Sequence, residues 1–447
     1  MKLKKIAFSF LIIFIFSGVF LFTLISMSKA KFSDFFSSGR VSYLKNRDAH
    51  ITKDVVVDAT CISPYGGIKT LMENITRLIA EKRPNWRIIV LGSSELRDNL
   101  LSLQKQKNIK FLCIKARYND VFLSLRTIAN FVTLGLFRDK ITQLCFYDTI
   151  CIDDKCDLFF DPYAEYAIND FNIPKISLIH DLVYLDIENF KTPAAKKWIK
   201  KCSEFILENS QKIITITNFS KERIMYWYNP KKDQVKTIYT CLSQRVNNIE
   251  VNDKFRRSIL KKYGIDSKNY FIYISACWPQ KNHKRLIKSF LEFLSRSKSN
   301  MKLVIVGEMS KNTLLQLKSL SDASDNIICT NSIPNDELKV LLSNSFALVF
   351  PSLYEGFGMP IIEAMAAGIP VICSNAGSIP EVAGNAAIFF NPRDTNEIIA
   401  AMQQIVTDAA LRKELIKRGY QQAQKFSDTD SMINDYIKVF EDAMSAR

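Results

Sequence analysis

Histidine is scarce in this chain of 447 residues, which has only His50, His180 and His283, and its ten cysteines include no Cys-x-x-Cys pair. The tightest cysteine group lies in "CFYDTICIDDKC", residues 145–156. It lacks the histidine or paired-cysteine partners that zinc sites use. The sequence therefore predicts reduced thiols, no bound metal and no cofactor.

Arginine-rich blocks, low-complexity tracts and internal repeats are also absent. Nucleic acid is therefore not expected as a partner, although the net charge is +16. The charge leaves three interpretations open: an anionic membrane surface, phosphate-bearing substrates, or lysines spread over solvated faces. The chain is 47% hydrophobic and 24% charged, which is typical of globular proteins, and its length predicts two domains.

The first residues, "MKLKKIAFSFLIIFIFSGVFLFTLISMSK", contain an uncharged run from Ile6 to Met27. As a helix this run would be ~33 Å long, enough to cross a bilayer core. We expect an uncleaved membrane anchor over residues 1–28 and a stem over 29–52; cleavage in "SMSKA" is the alternative. Five positive charges follow the run and three precede it, which favours a catalytic domain on the cytoplasmic face.

The remaining sequence alternates short apolar runs, such as "RIIVLG" and "KLVIVG", with longer segments that have apolar residues at helical spacing. This pattern predicts an α/β fold with parallel sheets covered on both faces. A polar stretch, residues 243–258, is interpreted as a linker. It separates two doubly wound, Rossmann-like domains, residues 53–245 and 246–425, which we expect to face a cleft, and residues 426–447 are expected to form a last helix.

One segment, "ALVFPSLYEGFGMPIIEAMAAGIPVICS", predicts strand, loop, helix and strand in that order. Pro360 suits the first turn of the helix, and Gly368 suits its end. Gly356, Phe357 and Gly358, here called the glycine turn, come directly before the helix. Free backbone N–H groups and the helix dipole make such a position an anion site, so the turn is expected to bind a diphosphate.

Two acids accompany the glycine turn. Glu363 lies one turn inside the helix, where a carboxylate can accept hydrogen bonds from two ribose hydroxyls. Glu355 lies on the loop, next to whatever group the diphosphate carries. The alternative is a helix with a favourable glutamate in its first turns and an ordinary tight turn before it.

These motifs resemble those of the family 4 glycosyltransferases of GT-B fold, over residues 53–440. The resemblance implies that Glu363 binds the ribose, Glu355 contacts the donor sugar and the glycine turn holds the diphosphate. It also implies that Lys281, in "ISACWPQKNHKRLIKSF", clamps the diphosphate. Transfer would retain the anomeric configuration and need no metal.

Further elements of the first domain are similar to those of the family. Gly66 and Gly67, in "DATCISPYGGIKTLMENI", resemble its glycine loop near the donor phosphates, and His180, in "ISLIHDLVYL", resembles its active-site histidine. One feature departs from the family: Ala276 and Gln280 stand where many members have an arginine.

Two polar residues are predicted to cap helices. Asn282 is expected to cap the helix after Lys281. Asp428, in "KFSDTDSMINDYIKVF", is expected to cap the last helix rather than to form a DxD metal motif with Asp430, because no strand precedes it. The resemblance implies that this last helix packs back on the first domain.

The sequence thus predicts a membrane-anchored retaining glycosyltransferase that moves a hexose, mannose being the family's suggestion. The donor would be a GDP- or UDP-linked sugar and the acceptor a glycan or a lipid-linked sugar chain. Two alternatives stay open: a non-catalytic nucleotide-sugar-binding protein, favoured by the missing arginine, and a sugar-nucleotide epimerase on the same architecture.

Overall fold

The computed structural model describes residues 50–59, 67–92, 94–113, 156–163, 173–188, 190–242, 251–308 and 325–446. The chain divides into two compact units, residues 1–175 with 446–447, and residues 176–445. The predicted anchor and stem and Gly66 lie outside these described ranges, apart from residues 50–52. Within the ranges, no helix has the length and apolar content that a membrane crossing requires. The predicted domain boundary at 245/246 stays a prediction.

Unit 1 is built on parallel strands in the order β3-β2-β1-β4. Strands β1, β2 and β4 are buried along almost their whole length, as expected of a parallel sheet that is covered on both faces. Its elements are β1 (Lys53–Asp58), α1 (Gly67–Lys82), β2 (Trp86–Gly92), α2 (Ser94–Asp98), α3 (Leu101–Gln104), β3 (Ile109–Cys113) and β4 (Leu158–Asp161).

Charged groups are buried inside unit 1. Arg87 on β2 makes two hydrogen bonds to Asp54 on β1, Nε to Oδ1 at 2.6 Å and Nη2 to Oδ2 at 2.8 Å. Both side chains are at most 3% exposed. At the end of β4, burial raises the pKa of Asp161 to about 7, with Lys175 opposing the rise and Asp58 adding to it.

Unit 2 begins with three parallel strands in the order β5-β6-β7. Side chains at the helix starts accept backbone hydrogen bonds: Thr192 from Ala195, and Thr217 from Ser220. The elements are β5 (Lys175–Leu178), α4 (Val183–Asp186), α5 (Pro193–Asn209), β6 (Lys212–Thr215), α6 (Asn218–Tyr228) and β7 (Val235–Thr237).

The second part of unit 2 is a six-stranded parallel sheet in the order β10-β9-β8-β11-β12-β13. This is a doubly wound order, and the direction of winding reverses between β8 and β11. Strands β8, β11 and β12 are buried along their whole length. The elements are α7 (Asp253–Lys262), β8 (Tyr270–Ile274), a 3₁₀ turn (Pro279–Lys281), α8 (His283–Ser297), β9 (Lys302–Val306), β10 (Ile327–Thr330), α9 (Asn335–Ser343), β11 (Ala347–Phe350), α10 (Met359–Ala366), β12 (Val371–Ser374), α11 (Ile379–Ala383), β13 (Ala387–Phe390), α12 (Thr395–Thr407), α13 (Ala409–Gln424) and α14 (Thr429–Ser445).

The predicted linker is wrong at its C-terminal end, because helix α7 begins at Asp253. Asn252 caps this helix by accepting a hydrogen bond from the backbone N–H of Phe255 at 2.8 Å. Ile259 is buried, so the helix packs one apolar side on the unit while its charged side faces solvent. The charged side concealed the helix in the sequence.

Two cap predictions have different outcomes. The cap at Asp428 is confirmed, since its Oδ1 accepts from the Ser431 N–H at 2.8 Å. Asn282 does precede α8, but its side chain makes no capping bond. Its amide instead donates to the carbonyls of Pro351 at 3.0 Å and Pro392 at 2.8 Å, which lie on other loops.

The described part of the chain contains free thiols, as the sequence predicts. Of the cysteine group, Cys145 and Cys151 lie outside the described residues, whereas Cys156 is buried. The free cysteines are Cys156, Cys202, Cys241, Cys277, Cys329 and Cys373.

Candidate functional site

Two loops of unit 2 meet at the carboxyl ends of β8 and β11, where the winding of the sheet reverses. Ligands of doubly wound sheets bind at this point. The loop after β8 carries Lys281, and the loop after β11 carries Glu355 and the glycine turn. The backbone joins the loops as well, since the Leu353 N–H donates to the Gln280 carbonyl at 2.7 Å.

Lys281 and Glu355 form a direct ion pair. The Lys281 ammonium lies 2.7 Å from both carboxylate oxygens of Glu355. Glu355 is only 8% exposed, so the pair is shielded from water and its attraction is stronger than that of a surface pair. A diphosphate that contacts Lys281 would therefore also lie beside Glu355.

The backbone around Lys281 is held in place. The Tyr273 hydroxyl donates to the Lys281 carbonyl at 2.6 Å. The next residue, Asn282, has a left-handed conformation with φ +61°. It is held by the two hydrogen bonds that its side-chain amide donates. The ammonium is consequently presented from a rigid turn, which favours an electrostatic role because little reorganisation is needed.

The glycine turn lies directly ahead of helix α10, as predicted. Gly358 precedes the helix with φ +96°, a conformation that favours glycine, and Pro360 lies in the first turn. Pro360 has no N–H, and the Ile361 N–H donates to the Gly358 carbonyl at 2.9 Å, so the helix would favour an anion here chiefly through the positive end of its dipole. Gly368 follows the helix with φ +69° and ends it as predicted.

Gly356 must also be a glycine, because there is no room for a side chain at this position. A Cβ there would lie 2.9 Å from the His180 carbonyl oxygen and 3.0 Å from Asp181 Oδ2. The loop that carries His180 therefore packs on the glycine turn. His180 is half-buried two residues beyond β5, and its carbonyl accepts from the Ser220 hydroxyl at 2.9 Å.

Glu363 is completely buried in the middle of α10. It lies one helical turn beyond Met359, the first residue of this helix, which follows the glycine turn directly. A carboxylate is costly to bury unless it is hydrogen-bonded, which is consistent with a specific role for this side chain.

The remaining predicted residues have separate locations. The Phe357 ring is 4% exposed and packs edge-to-face on Phe426, with centroids 5.4 Å apart, so the side chain supports the turn. Gly67 is the first residue of α1 in unit 1. Their roles in donor binding stay predictions.

The sequence reasoning missed several residues that support the site. His283 is buried against Tyr273, and burial lowers its pKa to about 4, so its imidazole is neutral at pH 7. Thr217 donates to the Gly356 carbonyl at 3.0 Å, and Ser378 to the Glu355 carbonyl at 2.9 Å. The contacts of Thr217 and Ser378 join residues 139 and 23 positions apart, so no local motif marks them.

Residues 255–422 match the family model described as Glycosyl transferases group 1. The chain is 29% identical over 266 residues to the O-antigen chain mannosyltransferase B of Escherichia coli, covering 58% of this chain and 69% of that protein. It is 26% identical over 285 residues to the serotype-specific mannosyltransferase WbdA of Escherichia coli, covering 60% of this chain and 34% of that protein. The match thus spans about a third of the length of WbdA.

The fold is similar to that of solved glycosyltransferases. A glycosyltransferase from Rickettsia africae matches with a TM-score of 0.64 and 14% identity, covering 88% of this chain and 99% of that chain. Anabaena Alr3699/HepE, solved with UDP and glucose, matches with a TM-score of 0.65 and 14% identity, covering 88% of this chain and 100% of that chain. The predicted GT-B fold with two Rossmann-like parallel-sheet domains is confirmed.

Proposed function

We propose that this chain is a glycosyltransferase that moves a hexose, and we propose its donor, its acceptor and its reaction course. The match of residues 255–422 to the Glycosyl transferases group 1 model and the similarity to a mannosyltransferase support this. The observation that supports the proposal best is the buried ion pair of Lys281 and Glu355 beside the glycine turn. A cation, the glycine turn with the positive end of α10, and an acid then lie together, which suits a diphosphate linked to a sugar.

The proposed donor is a nucleoside-diphosphate hexose, with mannose as the first candidate sugar. The relatives named above are mannosyltransferases, which favours mannose. The Anabaena structure holds UDP and glucose, which makes a UDP-linked sugar the second candidate. The proposed acceptor is a glycan, because one of these relatives is named an O-antigen chain mannosyltransferase.

The proposed reaction proceeds with retention. Lys281, the amides of the glycine turn and the positive end of α10 stabilise the negative charge that develops on the departing diphosphate. The acceptor hydroxyl attacks from the side on which the diphosphate leaves, and a phosphate oxygen takes its proton. Glu355 and His180 then orient the sugar, and Glu363 binds the ribose.

The non-catalytic alternative depends on the missing arginine. Neither Ala276 nor Gln280 supplies a cation to this loop. The backbone carbonyl of Gln280 accepts a hydrogen bond from the Leu353 N–H. Lys281 would then carry more of the charge neutralisation than in relatives with two cations.

The donor proposal is tested with the purified full-length protein and a panel of GDP- and UDP-linked hexoses in the absence of added metal. We expect release of nucleoside diphosphate from one donor, GDP-mannose first, and its loss in Glu363→Ala. Retention is then read from the anomeric configuration of the product. Binding of a donor without any release, on every glycan acceptor tried, would instead support the binding-protein alternative.

We also propose that residues 1–28 anchor the chain in a membrane with residues 53–447 on the cytoplasmic face, so that the acceptor is lipid-linked. The uncharged run from Ile6 to Met27 supports this. The expressed protein is expected to stay with membranes through an alkaline carbonate wash, and a protease added to inverted vesicles should digest residues 53–447. Release by the wash would contradict the anchor, and protection from the protease would contradict the orientation.

A further inference from the structure

The Asp186 carboxylate, at the end of α4, accepts hydrogen bonds from three side chains. Arg223 donates through Nε at 2.9 Å and also through Nη2, Trp227 through Nε1 at 2.9 Å, and Tyr354 through its hydroxyl at 3.0 Å. The Asp186 side chain is only 10% exposed. Such a fully engaged carboxylate has one geometry, and it fixes the groups that surround it.

Tyr354 links this carboxylate to the candidate site. It lies 168 residues from Asp186 in the chain and directly before Glu355. Its ring is 4% exposed and packs edge-to-face on Phe219, with centroids 5.4 Å apart. Burial, together with the Asp181 and Asp186 carboxylates, raises the pKa of the Tyr354 hydroxyl, so it remains protonated and able to donate.

Glu355 is held from the other side as well. The Ser378 hydroxyl donates to its carbonyl, and a Cβ at Gly377 would lie only 2.9 Å from its backbone nitrogen. The carboxylate is bound by Lys281. On the N-terminal side of Glu355, the Tyr354 side chain holds the backbone through its hydrogen bond to Asp186.

We propose that Asp186 is a positioning residue for sugar transfer, acting on Glu355 through Tyr354. This inference rests on the proposed function, in which Glu355 contacts the donor sugar. Asp186 touches no reacting atom in this scheme. It sets where the Glu355 carboxylate lies when the diphosphate departs, and a small misplacement of a catalytic group is costly in rate.

The decisive variant is Tyr354→Phe, which removes only the hydroxyl that reaches Asp186 and keeps the ring against Phe219. Its control is Tyr184→Phe. Tyr184 lies on α4 beside Asp186 and is also buried, at 9% exposure, and its hydroxyl bonds Ser203 at 2.7 Å and Tyr228 at 3.0 Å. Both variants lose one buried tyrosine hydroxyl.

We expect Tyr354→Phe to lower kcat about tenfold or more, with the KM for the sugar donor changed less than about threefold, because the position of Glu355 affects the transition state more than donor binding. Tyr184→Phe should keep kcat within about twofold at a similar loss of Tm. Asp186→Asn should follow Tyr354→Phe in direction.

An unchanged kcat in Tyr354→Phe, or an equal fall in Tyr184→Phe, would overturn the inference while the wild-type protein still transfers sugar. If the wild-type protein transfers none, the proposed function fails separately. Amide hydrogen exchange of residues 352–358 then decides the positioning claim: faster exchange in Tyr354→Phe than in Tyr184→Phe supports it, and equal exchange overturns it.

Discussion

Lys281→Met is expected to reduce kcat/KM for the sugar donor by about 10²–10³-fold, the usual cost of removing one group that stabilises developing charge. Methionine keeps an unbranched chain of similar length but removes the ammonium. Lys281 is the cation that contacts Glu355, and the loop has no arginine at Ala276 or Gln280 to replace it. The effect should appear mainly in kcat, measured by release of nucleoside diphosphate.

The matched control is Lys284→Met. Lys284 is exposed on the first turn of α8, so this variant loses the same charge three residues away without touching Glu355. Since Lys281→Met also leaves the buried Glu355 carboxylate without its ammonium partner, Tm is measured for both variants. Turnover by folded Lys281→Met within about threefold of the control would refute the assigned role.

Glu363→Ala is expected to abolish measurable turnover at donor concentrations near the wild-type KM. Two hydrogen bonds to a charged acceptor contribute roughly 1.5–3 kcal/mol each, so losing both weakens donor binding by about 10²–10⁴-fold. Glu363→Gln keeps the size of the side chain but removes its charge, so it should weaken donor binding less than Glu363→Ala does. Because ribose is bound equally before and during reaction, the loss should appear in KM and in the Kd for free nucleoside diphosphate.

Glu414→Ala serves as the comparison for Glu363→Ala. Glu414 lies on α13 in the same unit, and its side chain is 44% exposed and paired with Arg418. Calorimetric titration with GDP and UDP separates binding from folding. Unchanged nucleoside diphosphate affinity in a folded Glu363→Gln protein would show that this acid does not bind the ribose.

Much of the fold could be predicted because parallel strands buried on both faces are continuous apolar runs. β9 and β11 are of this kind, and the apolar runs "KLVIVG" and "ALVF" predict both. β3 carries Lys110 among its five residues, and β7 has only three residues, so neither has that pattern. Helix α7 was hidden by its charged side.

The residues of the candidate site could be predicted only where they belong to one short, continuous motif. The glycine turn, Pro360 and Gly368 belong to one continuous stretch, and their conformations follow from it. The ion pair of Lys281 with Glu355 joins residues 74 positions apart and depends on β8 and β11 being neighbours in the sheet. Asp186 has no motif, because its partners come from one later helix and one distant loop.

The buried pair of Arg87 and Asp54 has a consequence for how unit 1 assembles. The two residues stand directly opposite each other in the pairing of β1 with β2. A slip of one strand by one position would turn its charged side chain to the other face of the sheet, and the opposite charge would be left without its partner inside the core. An uncompensated buried charge costs about 3–5 kcal/mol, so mispaired sheets are penalised and the native alignment of these strands is selected during folding.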